Sequence, residues 1–209
     1  MDIAIPIYDG FTALDAVGPY EVLSRMPQTR VTFIAAEPGP VRTDNGMLTL
    51  VAECSLQDVP RPDVVLVPGG KGDVVGHAGE SVLEWVRSAH RTTTWTTSVC
   101  TGSLILAAAG LLEGKRATSH WLALDRLREL GAEPISERVV FDGKIVTAAG
   151  VSAGIDMALT LAARIAGDLV AQAIQLGIEY DPQPPFDSGS SSKAPQEVVE
   201  AVRARAALR

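Results

Sequence analysis

Cysteine is scarce in this 209-residue chain. Cys54 and Cys100 are too few for a disulfide framework, so the fold does not lean on oxidised crosslinks and the expected setting is a reducing cytoplasm. Histidine is almost as rare. His77, His90 and His120 lie far apart without metal-ligand spacing, and no metal site is expected. Basic residues number 18 against 25 acidic ones, for a net charge of -7. They are also scattered, which argues against a nucleic-acid partner. No apolar run reaches the roughly 18 residues that a membrane span requires, and no basic-then-apolar leader precedes the first strand. Aromatic residues make up only 5% of a chain that is 46% hydrophobic, so Ala, Val and Leu must fill the core, as suits helices packed closely on a sheet. The length fits one large domain over residues 1–209.

Against these absences stands one dense stretch, Thr97-Ser98-Val99-Cys100-Thr101-Gly102-Ser103. A strand-like run, Thr92 to Val99, meets a small-residue helical run from Thr101 with no room for a loop. A residue at such a turn is forced into a strained geometry that lifts its side chain to the top of the sheet, as in a nucleophile elbow. The residue there is Cys100. A thiol at a helix N-terminus sees the positive end of the helix dipole, which favours thiolate, the form that attacks carbon. Cys100 is therefore the candidate nucleophile, against the plainer reading of a small buried hydrophobe. Cys54, in a polar strand end, is read as structural.

The rest of the chain alternates strands and helices. Met1 to Ile7 reads as a strand closed by Tyr8-Asp9-Gly10. Gly18-Pro19 predicts the opening of a helix running to about Met26, because proline is tolerated in a first turn, and this leaves Asp15 in the connection before it. Val31 to Ala36 is a second strand. Val41 to Thr43 and Leu48 to Ala52 form a hairpin across Asn45-Gly46. Asp63 to Val67 has the continuous apolar run of a covered parallel strand, and Gly69-Gly70 at its end permits close backbone approach. Ser81 to His90 is helical, as is Thr101 to Leu112. A further helix runs from His120-Trp121 to Leu130, and Val139 to Ala148 folds as a hairpin around Asp142-Gly143. Gly150 to Ile165 is a long helix entered through small residues that could pack against the Cys100 turn. Asp168 is expected to cap a helix over Leu169 to Ile178. After Tyr180, Pro182, Pro184, Pro185 and a Ser/Gly cluster mark an extended arm, expected to lie over a neighbouring subunit, before a terminal helix from Gln196 to Leu208.

This alternation predicts an α/β fold, a three-layer sandwich with a mainly parallel sheet. Ligands in such sheets bind beyond the carboxyl ends of the strands. Asp15, Gly69-Gly70 and Cys100 each follow a strand, so they should converge.

Several of these pieces together resemble the DJ-1/PfpI superfamily. They are Val67-Pro68-Gly69-Gly70, Cys100-Thr101-Gly102-Ser103, Ala108 to Leu112 with Ala117-Thr118-Ser119-His120-Trp121, and the helix entry at Gly150. Within it, Leu14-Asp15 before Gly18-Pro19, Thr101 after the cysteine, and Glu179-Tyr180-Asp181-Pro182 resemble the isonitrile hydratase family. That resemblance implies a flavodoxin-like fold, a homodimer without metal or organic cofactor, and hydration of an isonitrile to an N-substituted formamide. It also implies a nucleophilic Cys100, an acid/base Asp15 and a functional Thr101. The amides of Gly70 and Thr101 are candidates to hold developing charge, and the Thr101 hydroxyl to position water. Asp15 can donate a proton only if burial or the adjacent thiolate raises its pKa. Each role has a rival: Asp15 and Thr101 as helix-start residues, Glu21 as the carboxyl, His120 as a base rather than a packing residue. A redox or stress protein acting through Cys100 oxidation, or a glyoxalase or deglycase, are the alternative functions; the tail is too short for a helix-turn-helix pair.

Overall fold

The computed structural model describes residues 1–207. Leu208, expected to end the last helix, lies outside the described residues. The strands are β1 (Asp2–Pro6), β2 (Arg30–Ala35), β3 (Gly39–Arg42), β4 (Thr49–Ala52), β5 (Cys54–Ser55), β6 (Val64–Val67), β7 (Trp95–Val99), β8 (Arg116–Ala117), β9 (Glu133–Pro134), β10 (Val139–Asp142) and β11 (Ile145–Ala148). The helices are α1 (Ala13–Leu23), α2 (Val74–His90), α3 (Gly102–Ala108), α4 (Leu124–Glu129), α5 (Ala153–Ala166), α6 (Asp168–Gly177) and α7 (Gln196–Ala207).

Seven strands form one sheet in the order β10-β11-β7-β6-β1-β2-β5. All its pairings are parallel except the β10–β11 hairpin. Strand β6 is all valine and leucine, and every residue of β6 and β11 is buried, as a sheet covered on both faces demands. Helix α5 packs on both α1 and α6, and α3 on both α2 and α4, which gives the three layers. The chain leaves β1 toward β2 and returns to the other side of β1 through β6. The crevice opened by that reversal is where α/β sheets bind ligands.

Four expectations need correction. First, α1 begins five residues earlier than proline chemistry implied, so Asp15 lies in its first turn and Pro19 inside it. Pro19 cannot donate to the Asp15 carbonyl four residues back, a cost that tertiary packing offsets. Gly18 and Gly154 let α1 and α5 approach closely: an added Cβ would stand 3.1 Å from Ile155 Cγ1 at Gly18 and 3.0 Å from Pro19 Cγ at Gly154. Second, α2 starts at Val74, capped by Asp73, and is interrupted at Gly79, where φ is 75°; only the part beyond that kink was legible from its periodicity. Third, α3 stops at Ala108 rather than Leu112 because Gly110 turns the chain at φ 77°. Fourth, Gly167 rather than Asp168 occupies the cap position of α6. The 181–193 arm is exposed throughout, and α7 touches the body through the Arg203 guanidinium, 5.6 Å from the Trp121 ring centre.

Candidate active site

The turn after β7 places Cys100 in the left-handed region, at φ 58°. Such a conformation costs a non-glycine residue about 1–3 kcal/mol and persists only where the surroundings over-determine it. Here they do. The Cys100 amide is shared between the carbonyls of Ala148 (3.0 Å) and Ala149 (3.1 Å), while its own carbonyl accepts from the hydroxyls of Ser119 (3.0 Å) and Ser103 (3.2 Å). Glycine is obligatory at 102, because a Cβ there would stand 2.2 Å from the Val67 carbonyl oxygen. The two serines belong to the stretches that carried the resemblance, but a hold on the cysteine carbonyl was not legible in them.

Asp15 reaches this turn from α1. Its side chain is fully buried, and Oδ2 accepts from the Gly69 amide at 2.9 Å. Burial pushes the carboxyl up to about 7; the Gly69 amide and the Cys100 thiol hold it lower, and the nearby Asp44 carboxylate adds to the rise. This is the raised pKa that a proton donor at neutral pH requires. Gly69 and Gly70 sit between Asp15 and the Cys100–Thr101 turn. A Cβ on Gly69 would lie 2.6 Å from both the amide nitrogen and Oγ1 of Thr101, and 2.9 Å from Asp15 Oδ2. The crevice predicted from strand ends therefore brings Asp15, Gly69-Gly70, Cys100 and Thr101 together.

The electrostatics differ from those expected in three respects. Cys100 does not rest as a thiolate: burial and the Asp15 charge push its thiol up to about 12, and the Val151 and Thr101 amides with the Thr101 hydroxyl only temper the rise. A dipole summed over a helix as short as α3 is outweighed by desolvation, since Cys100 is 5% exposed. The Gly70 amide, expected to face developing charge, donates instead to Thr101 Oγ1 (2.9 Å). The Thr101 hydroxyl is within reach of both the Gly70 carbonyl (2.8 Å) and the Cys100 sulfur, so its one proton serves acceptors of the protein and not the water expected there. The amides that temper the sulfur are those of Thr101 and Val151, and Val151 was missed as a site residue; its sole sequence signal was the run of small residues from Ala149 to Gly154.

Tyr8 was also missed, having read as part of a turn. It is buried, donates to the Pro68 carbonyl at 3.0 Å, and has its phenol pKa raised by burial and then by Asp15, so it stays neutral. The rival residues stand aside. Glu21 pairs with Arg25 on the surface. His120 accepts from the Leu122 amide at 3.3 Å and packs its ring over Gly150.

The family model of DJ-1/PfpI matches residues 1–164. The chain belongs to the DJ-1/PfpI family. It is 45% identical to an isonitrile hydratase of Pseudomonas putida over 99% of this chain and 90% of that protein. It is 31% identical to an HTH-type transcriptional regulator, CdhR, of Pseudomonas aeruginosa over 81% of this chain, which spans about half (51%) of the regulator. Among solved structures, a ThiJ/PfpI family protein from Pseudomonas syringae superposes with a TM-score of 0.94 at 37% identity, covering 99% of this chain and 86% of that one. Membership in DJ-1/PfpI thus rests on sequence and fold alike. No described helix is long and apolar enough to cross a membrane.

Proposed function

We propose that this DJ-1/PfpI protein is an enzyme that hydrates isonitriles, R–N≡C, to N-substituted formamides without a cofactor. The observation that carries the substrate class is the 45% identity to an isonitrile hydratase, maintained over 99% of the chain. The site chemistry supports it independently. An isonitrile carbon takes up a nucleophile and a proton at the same centre, and the Cys100 thiol beside the Asp15 carboxyl, which burial raises to about 7, can supply both. A cysteine buried to 5% exposure also favours a slender, linear head group over a bulky one.

In the first step the Cys100 thiol gives its proton to the Asp15 carboxylate as a carbon–sulfur bond forms. Asp15 then passes that proton to the same carbon, leaving a thioimidate, R–N=CH–S. A water, relieved of a proton by the Asp15 carboxylate, adds to the thioimidate carbon, and Asp15 passes that proton to the nitrogen, which leaves it a carboxylate again. The tetrahedral species breaks its carbon–sulfur bond, and the hydroxyl proton returns through Asp15 to sulfur, releasing R–NH–CHO. No oxidant or reductant is consumed. The Thr101 and Val151 amides stabilise the sulfur as it gains and regains charge, and burial of the site keeps their dipoles effective.

The test is turnover of a simple alkyl isonitrile, followed as formamide by mass spectrometry. Wild type is expected to form it and Cys100→Ala to fall to the buffer rate; a wild type that makes none removes the assignment. The same reading includes a homodimer with the arm over the partner, supported by exposed Leu169, Leu176 and Phe186 and by the exposed 181–193 segment. Sedimentation of the full chain at the monomer mass would exclude it.

A further inference from the structure

Asp44 takes no part in the chemistry above, yet its carboxylate is only 7% exposed. Its Oδ2 accepts from the Thr12 hydroxyl at 3.0 Å and lies 3.3 Å from Lys71 Nζ. Thr12 is the residue that opens α1, and its amide donates to the Gly69 carbonyl at 2.8 Å. The Asp44 amide donates to the Phe11 carbonyl at 2.9 Å. Asp44 therefore knots the β3–β4 loop to two other segments. One is the start of α1, three residues ahead of Asp15; the other is the loop after β6, two residues beyond Gly69. These are the two segments that hold the Asp15 carboxyl. On its outer side Asp44 borders a cavity of about 450 Å³ that is also lined by Gly10, Lys71 and His77.

We propose that Asp44 is a positioning residue for the Cys100–Asp15 pair, with Lys71 as its counter-charge: together they fix where the Asp15 carboxyl stands and how much negative charge it ionises against. The inference rests on reading Cys100 and Asp15 as the reacting pair, and not on the identity of the substrate. The charged and titratable groups around Asp15 are few. Tyr8 faces it from the end of β1 as a neutral phenol, Cys100 from the β7–α3 turn, and Asp44 from the β3–β4 loop, with Lys71 and His77 across the cavity behind Asp44. From α5, packed against α1, the contact at Gly18 is Ile155, while Asp156 is engaged by Arg138. Beyond burial, Asp44 is the neighbour that raises Asp15. Lys71 is placed to weaken that effect.

The test uses the full-length protein and iodoacetamide, with Cys100 and Cys54 counted separately by peptide mass spectrometry as pH is varied through neutrality. Alkylation of Cys100 is assisted by the Asp15 carboxylate, so its rate has an inflection where the pair ionises. Asp44→Asn keeps the shape and removes the charge, and is expected to move that inflection to lower pH. Lys71→Met leaves Asp44 without its counter-charge and is expected to move it to higher pH. Each shift should be about half a pH unit. A purely structural tie would slow alkylation at every pH, or lower the melting temperature, without moving the inflection. Folded variants whose inflections stay put, or move in the same direction, overturn the proposal. If Asp44→Asn does not fold, Lys71→Met, whose side chain is 51% exposed, carries the test alone through the alkaline shift. Alkylation needs no isonitrile, so a wild type that makes no formamide removes the substrate assignment and leaves this result intact.

Discussion

The two cysteines of this chain stand at two places in one sheet and have opposite surroundings. Cys54 belongs to β5, a two-residue edge strand held to β2 by backbone pairing, and is partly open to solvent. Cys100 follows β7, an inner strand, with 5% of its surface exposed and its backbone in the left-handed region. Accessibility alone would favour Cys54 as the reactive thiol. What separates them is company. Sheet topology delivers Asp15 to Cys100 from a helix that begins nearly ninety positions earlier, and the loop after β6 delivers the Gly69 amide that holds the carboxyl. On the proposed reading, the nucleophile is made by convergence at the strand ends, and residue type supplies only the sulfur.

The sharpest way to break this contrast is to remove the carboxylate and keep its shape. Asp15→Asn should lower kcat for isonitrile hydration by about 10²–10⁴-fold, the usual worth of a positioned acid/base group, while leaving Cys100 in place. A variant that keeps full rate would mean that the sulfur acts without its neighbour, and the distinction from Cys54 would rest on backbone geometry alone.

The same substitution has a second, smaller consequence for stability. Burial on folding raises the Asp15 pKa from an ordinary 3.8 to about 7. Between those limits the folded chain keeps a proton that the unfolded chain has lost, so stability falls as pH rises through the interval and levels off above it. The full loss is on the order of 4 kcal/mol. Asp15→Asn lacks that titration. In urea melts at several pH values, the variant should match or fall below wild type near pH 4 and gain on it up to about pH 7, since its neutral amide needs no buried charge. Parallel stability curves for the two proteins would mean that Asp15 ionises in the folded state as easily as in water.

Much of this is legible in the sequence, because the signals are local. The apolar run at Val64–Val67, the Asn45-Gly46 and Asp142-Gly143 turns and the abrupt junction at Cys100 each reflect a chemical constraint on neighbouring residues. The parts that could not be read depend on contacts between distant segments. Gly18-Pro19 signals a helix start by its own chemistry, and only the close packing of α5 reveals why it sits mid-helix. The ionisation of Cys100 was read from a helix dipole visible in sequence, whereas the larger influence, desolvation, depends on everything that covers the sulfur. Gly69-Gly70 was legible as a place of close approach, but not the use of its two amides, which go to Asp15 and to Thr101. Val151 and Tyr8 enter the site through backbone geometry and burial, and neither has a side-chain signature.

The smallest expected effect sharpens the contrast from the other end. Cys54 packs partly against the core and contributes its backbone to the β2–β5 pairing, which any residue can supply. Cys54→Ala removes one partly buried sulfur and should cost no more than about 1 kcal/mol, or a fall of about 3 °C in melting temperature for a chain of this size. Hydration should stay within about twofold of wild type, because nothing in the Cys100–Asp15 constellation touches β5 and distant substitutions act independently. Calorimetry beside a turnover assay measures both. A large loss of activity with the fold intact would tie the sheet edge to the site and undo the separation between the two thiols. Their difference would then come from coupling through the sheet and not from where the carboxylate lies.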